Sequence, residues 1–266
     1  EMEEIKQILK ISSENDIKFI DTAFSYGNAE KNLGKLNLNN FEVITKTPKF
    51  DQRIISKNEA NKLEKSFFLS LKNLGIKKIY GLLIHRPEDL LKIGGESIIQ
   101  KLLDLKEKEL VQKIGISIYD FSIIEKILPK FTPDIIQLPL NIFDQNSHLN
   151  GTLKELKDKK IEIHARSIFL QGLILMEKNE IPEFFDPWKK NFDDLNEICS
   201  KFNLSKLEAA LNFICNVKEV DKFILGFNNS SQLKEVLNAI KNKDKVNFSN
   251  LSSVDSNLIN PQNWKL

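Results

Sequence analysis

What this sequence has little of already excludes several kinds of protein. Cysteine occurs only twice, at Cys199 and Cys215, sixteen positions apart and with no histidine pair nearby, so neither a disulfide framework nor a zinc site is expected. Both thiols are expected to be buried and to pack as small hydrophobes. Excess charge is missing too. The 39 basic and 37 acidic residues leave a formal charge of +2, too weak a field to hold a polyanion by counterion release, so nucleic acid is not an expected partner. No apolar run approaches the roughly 20 residues that cross a bilayer. The first ten residues mix acids and bases without the apolar stretch of a signal peptide. No membrane partner is expected, and the expected location is the cytoplasm. No linker, repeat or low-complexity tract divides the 266 residues. An α/β barrel of about 250 residues is an ordinary single domain, so one domain over residues 1–266 is expected.

What is present is enough to fill a core, with 41% apolar and 29% charged residues. Seven short apolar runs recur: KFIDTA (18–23), FEVITK (41–46), IYGLLIH (79–85), KIGISI (113–118), DIIQLPL (134–140), IEIHARS (161–167) and KFILGF (222–227). Such near-continuous runs suit strands buried on both faces of a parallel sheet. Between them lie helically spaced apolar residues: Leu63, Phe67, Leu71 and Leu74; Ile98, Leu102 and Leu105; Leu233, Val236, Leu237 and Ile240. Strand and helix alternating in this way give either an open doubly wound sheet or a closed (β/α)8 barrel.

Two observations favour the barrel. No G-x-G-x-x-G follows the first run, as a dinucleotide-binding open sheet would require. Polar residues also stand at the C-terminal end of nearly every run: Asp21, Lys46, His85, Ser117, Gln137, Arg166 and Gly226. In a barrel those ends converge on one mouth. The expected fold is thus a (β/α)8 TIM-type barrel. With seven runs found and residues 1–15 reading as a helix, its first strand is expected to be missing. The stretch 169–203 is expected to form a loop and an extra helix over the mouth.

The chemistry suggested by those ends centres on FIDTAFSYGNAE, residues 19–30. A tyrosine has a reference pKa near 10 and is a poor proton donor at neutral pH unless a cation favours its phenolate. Lys46 can supply that cation, and an ionised Asp21 would keep a buried Lys46 charged. A neutral His85 can donate a hydrogen bond to a substrate oxygen. Each residue also has a plainer reading: Asp21 as a turn cap, Tyr26 as a surface aromatic, Lys46 snorkelling to solvent, His85 as an ordinary hydrogen bonder. Four such residues in separate segments of one mouth weigh against coincidence. Phe24, Phe50, Phe143 and Trp188 either line an apolar rim or belong to the core. Arg86 either attracts an anionic substrate or is a surface arginine. Asn229 or Ser230 can cap the last helix, whose N-terminus suits an anion.

DTAFSYGNAE, VITK and LLIHRPED together resemble the signature segments of the aldo/keto reductases, and KIGISIYD, DIIQLPLNIFDQ, IEIHARSIFLQGLIL and FILGFNNSSQLKEVL resemble later strands of that family. TKTP and RSIFLQG are closest to a bacterial subgroup associated with surface-sugar loci. The resemblance implies an NAD(P)H-dependent oxidoreductase that reduces an aldehyde or ketone, with a small carbonyl substrate, sugar-derived in that subgroup. It makes Tyr26 the general acid, Lys46 its modulator, Asp21 the partner of Lys46 and His85 the carbonyl orienter. It assigns Ser117, Gln137, Arg166, Ser167, Phe169, Gly226, Asn228 and Gln232 to the cofactor and implies no metal. Arg166 stands where most members stack a tyrosine on the nicotinamide, and either stacks or forms a salt bridge. Gln232 stands where an arginine often meets the 2′-phosphate and Val236 where an asparagine often does; family frequency points to NADP, with NAD also open. Two other readings are a Lys46 Schiff-base lyase or aldolase, against which a protonated lysine argues, and a non-catalytic dinucleotide-binding module.

Overall fold

The computed structural model describes residues 2–241 and 245–265, so Glu1 of the expected opening helix lies outside the described residues. It forms seven strands among them and divides into two compact units, Glu1–Gln137 and Leu138–Leu266.

The first unit opens with α1 (Met2–Glu14) and alternates thereafter: β1 (Phe19–Asp21), α2 (Ala29–Leu33), β2 (Glu42–Lys46), α3 (Lys57–Leu74), β3 (Ile79–Ile84), α4 (Glu96–Glu107), β4 (Val111–Ser117), α5 (Ser122–Ile127) and β5 (Ile135–Pro139), at which the unit ends. Each expected run became a strand. β1 pairs with β2, β2 with β3, β3 with β4 and β4 with β5, all in parallel. Every residue of β3 and β5 is buried, as strands covered on both faces must be. α3 begins where Ser56 and Glu59 form a reciprocal capping box and ends at Gly75 in the left-handed region, φ +68°. Leu63, Phe67, Leu71 and Leu74 make its buried stripe, as their spacing predicts.

In a flat sheet, four strand spacings would hold β1 and β5 about 19 Å apart. Gln137 of β5 nevertheless donates from Nε2 to Asp21 Oδ2 of β1 at 2.7 Å. The first unit's sheet is therefore curled, and side chains from its two edges meet.

The second unit contains α6 (Asn146–Leu149), α7 (Thr152–Asp158), β6 (Glu162–Arg166), α8 (Lys189–Phe202), α9 (Lys206–Asn216), β7 (Lys222–Phe223), α10 (Ser230–Ala239) and α11 (Ser256–Ile259). β6 and β7 pair in parallel, with His164 opposite Lys222. The long stretch before α8 holds two 3-10 segments, Leu170–Leu175 and Glu183–Trp188. Among the described residues no helix is long and apolar enough to cross a membrane.

Two expectations need correction. Cys199 is buried, but Cys215 is exposed: it sits in the last turn of α9, where the helix runs out beside the equally exposed Asn216. Gly226 does not end a strand, because β7 is only two residues long and Gly226 lies three residues past it. Of the two readings open for the phenylalanines, the core holds for Phe50 and Phe143, which are 3% and 0% exposed, with Phe143 edge-on to Phe192 inside the second unit. Phe24 and Trp188 are half-buried.

Candidate functional site

Asp21 is the last residue of β1 and Lys46 the last of β2, while His85 directly follows β3. Tyr26 comes after β1 in a tight turn whose backbone bonds run from Tyr26 N to Ala23 O and from Ala29 N to Tyr26 O, both at 3.0 Å. Gly27 holds φ +56° there, a left-handed conformation that glycine adopts without steric cost. Such a turn exposes one aromatic ring and sends the chain straight into α2.

Lys46 is 2% exposed, and a buried ammonium must find partners. It has them: Nζ donates to Asp21 Oδ1 at 2.5 Å and to Thr22 O at 2.9 Å. The same Nζ lies over the Tyr26 ring, 5.3 Å from its centroid. His85 approaches that ring edge-on, with centroids 5.9 Å apart and planes at 84°. Tyr26 itself is 50% exposed, so the phenol has a buried cation behind it and solvent before it. All four expected residues are thus brought together within the first unit.

A polar relay continues from Asp21. Gln137 Nε2 donates to Asp21 Oδ2, and Ser117 donates from Oγ to Gln137 Oε1 at 3.2 Å. Ser117 and Gln137 are register partners on β4 and β5, 4% and 1% exposed. Both carboxylate oxygens of Asp21 are therefore engaged, one by an ammonium and one by an amide, which holds the carboxylate in a single orientation.

Sequence reasoning passed over several supporting residues. Ser25 Oγ lies 3.1 Å from His85 Nδ1. Thr47 Oγ1 accepts from His85 N at 3.3 Å. Thr22, 2% exposed, supplies the carbonyl that Lys46 uses, while its own Oγ1 is buried with no hydrogen-bond partner among the described residues. Glu30, 3% exposed, accepts from Thr45 Oγ1 at 2.8 Å and Asn73 Nδ2 at 3.4 Å, tying the helix after the Tyr26 turn to the strand that carries Lys46. Hydroxyls at Thr22, Ser25, Thr45 and Thr47, each one residue from a site residue, were the sequence cues. Arg86 is engaged by Asp89, Asp51 and the Phe50 carbonyl, which accounts for it without an anionic substrate.

The remaining candidates lie in the second unit. Arg166 ends β6 half-buried and donates from Nη1 to Ser167 Oγ at 3.2 Å. Burial pushes the Asp144 carboxyl up to about 7, against the opposing pull of the Arg166 guanidinium and a hydrogen bond from Asn146. Ser167 has φ +60°, and Leu170, Gln171 and Gly172 are also left-handed, so the chain around Phe169 is sharply folded. Asn229, not Ser230, caps α10 by accepting from Gln232 N at 3.0 Å. Gln232 Oε1 in turn accepts from Asn228 N at 2.9 Å, which commits its side chain to the turn. Val236 is buried in the face that α10 presents to the core, and Gly226 and Asn228 are exposed.

The sequence model of the aldo/keto reductase family matches residues 1–256, spanning both units. The chain belongs to that family. Membership supports an oxidoreductase, in a family that generally uses nicotinamide cofactors and acts on small carbonyl substrates. Solved structures agree at the level of fold. An aldo-keto reductase from Bacillus halodurans in its holo form is 16% identical, with 99% of this chain and 91% of that chain covered at a TM-score of 0.77. A thermostable aldo-keto reductase in complex with the inhibitor epalrestat is 21% identical, with 94% and 86% covered at a TM-score of 0.71. No curated protein matches.

Proposed function

We propose that this chain reduces an aldehyde or ketone with a reduced nicotinamide dinucleotide, acting as one reductase domain over residues 1–266 in which Tyr26 is the proton donor. The observation that carries the proposal is the position of Lys46, buried, paired with Asp21 and lying 5.3 Å over the Tyr26 ring. A cation at that distance stabilises the phenolate left after proton transfer, which makes the phenol a better acid than its exposure alone would. Asp21 keeps Lys46 charged, and Gln137 keeps Asp21 aligned. His85, beside the same ring, donates a hydrogen bond to the substrate carbonyl and turns its oxygen toward Tyr26.

The donor set suits the cofactor. Ser117 and Gln137 offer a hydroxyl and an amide, each with hydrogen-bonding capacity beyond the bonds they already make, which fits a carboxamide. The N-terminus of α10, capped by Asn229, suits a phosphate through its backbone N–H groups and dipole, with Gly226, Asn228 and Gln232 beside it in sequence. Arg166, Ser167 and Phe169 complete the proposed cofactor set, the guanidinium being flat enough to stack on a ring. When bound, the reduced nicotinamide supplies the hydride. NADP is the proposed cofactor, with NAD also accepted, because Gln232 brings no cation for a 2′-phosphate. The seven strands belong, in this reading, to a (β/α)8-type reductase barrel, and the substrate is a sugar-derived aldehyde or ketone in the cytoplasm.

The test is NADPH carrying deuterium at nicotinamide C4, mixed with the protein and a panel of aldehydes and ketones that includes aldoses and ketoses. The expected result is carbonyl-dependent NADPH oxidation with the label on the carbinol carbon. Cofactor binding without turnover on any member of the panel would contradict the proposal in favour of a binding module. Borohydride-trapped substrate on Lys46 would contradict it in favour of a lyase.

A further inference from the structure

His85 is held from two sides, and the two contacts do different things. Its backbone N–H is tied to Thr47 at the end of the neighbouring strand, which fixes where the residue stands. Its ring is met by Ser25, whose Oγ lies 3.1 Å from Nδ1 although the two residues are 60 positions apart in sequence. Ser25 immediately precedes Tyr26, so one tight turn presents both the phenol and the hydroxyl that reaches the imidazole. The ring is further restricted by its edge-on approach to Tyr26.

A hydroxyl can donate or accept, and a neutral imidazole carries its proton on one nitrogen only. Which nitrogen carries it decides whether His85 can serve the proposed reaction. If Nδ1 holds the proton, Nε2 offers only a lone pair and repels a carbonyl oxygen. If Ser25 donates to Nδ1, the proton is on Nε2, which then donates. Two considerations select the second arrangement. The Nε2–H form is the commoner tautomer of histidine in water. The Lys46 ammonium, against the same phenol ring, disfavours a second positive charge and so keeps the imidazole neutral with one lone pair available to Ser25.

We infer that Ser25 is a positioning residue that donates its hydroxyl proton to His85 Nδ1 and thereby fixes His85 as the neutral Nε2–H tautomer required to orient a substrate carbonyl. The catalytic half of this statement rests on the reductase reading above; the tautomer itself does not. Ser25 is exposed, so substitution there leaves the core untouched.

The test is imidazole 15N–1H correlation spectroscopy on the full chain at pH 8, with steady-state kinetics on the same samples. The chain has three histidines, and His85→Gln identifies the resonance concerned. The expected wild-type spectrum has His85 Nδ1 unprotonated and Nε2 protonated. In Ser25→Ala the tautomers mix and kcat falls about fivefold, the effect of losing one ordinary hydrogen bond, with KM and NADPH affinity little changed. Ser25→Thr, which keeps the hydroxyl, restores both the spectrum and kcat. A wild-type spectrum with the proton on Nδ1, or a tautomer ratio unchanged in Ser25→Ala, would overturn the inference. Should the wild-type chain turn over no carbonyl compound, the reductase reading fails and the spectra alone decide the role of Ser25.

Discussion

Asp144 is the residue at which burial and charge conflict most plainly. It is 5% exposed, and its carboxyl is raised from 3.8 to about 7, mainly by desolvation and despite Arg166. An acid whose folded-state pKa lies above its unfolded one binds more protons when folded, so raising the pH costs stability. The loss begins near pH 4, accumulates to about pH 7 and is constant above that. Roughly three pH units at about 1.4 kcal/mol each put it on the order of 4 kcal/mol. Asp144→Asn is therefore expected to be markedly more stable than wild type at pH 8 and nearly equal to it at pH 4, by urea unfolding at both values. An equal difference at the two pH values would show that the carboxyl is not the cause. The contrast with Lys46 is instructive. Both are ionisable and almost fully buried, but Lys46 meets a carboxylate and a carbonyl at hydrogen-bonding distance, whereas the opposing influences on Asp144 are outweighed by desolvation.

The element that sets the Tyr26 turn is α2, only five residues long and too short to be stable alone. Its order comes from what it touches. Glu30 ties it to Thr45 on β2 and Asn73 on α3, and at its end Gly34 lies against the α3 backbone so closely that an added Cβ would stand 1.9 Å from Asn73 O. Gly34 has φ −67°, an ordinary helical value, so the requirement is for space and not for backbone freedom. Gly34→Ala is expected to destabilise by about 3 kcal/mol, the upper end for overpacking, and to lower activity through the displaced Tyr26 turn. Thermal unfolding with a parallel rate measurement checks this; an unchanged midpoint would contradict the close approach. These contacts also mark how far the sequence could be read. The strands were legible because runs such as IYGLLI are apolar throughout, and α3 because its stripe is regular and capped. β7 shrank to Lys222–Phe223, since an apolar run records burial without recording whether a neighbour is paired along its length. The clamp on α2 was not legible, because Glu30, Gly34, Thr45 and Asn73 have no periodicity and meet only once the chain is folded.

At the scale of the molecule, the convergence of Asp21, Tyr26, Lys46 and His85 could be read because each ends or closely follows a strand in a segment of distinctive wording. Their supports could not. Ser25 and His85, or Asp21 and Gln137, are separated by 60 and 116 positions, and only the folded sheet brings them together. The phenylalanines show the opposite limit: Phe50 and Phe143 were eligible for a rim by composition, and the core claimed both because a ring gains more from burial than from exposure. What the folded chain achieves is a phenol half in solvent with a buried ammonium behind it. The most direct measurement of that claim is the carbonyl-reduction rate of Tyr26→Phe beside its NADPH dissociation constant. The substitution removes one exposed hydroxyl, so the fold and cofactor affinity should persist. A fall in kcat of about a hundred- to ten-thousandfold with an unchanged dissociation constant is predicted; a variant that still reduces the carbonyl at the wild-type rate would contradict the account.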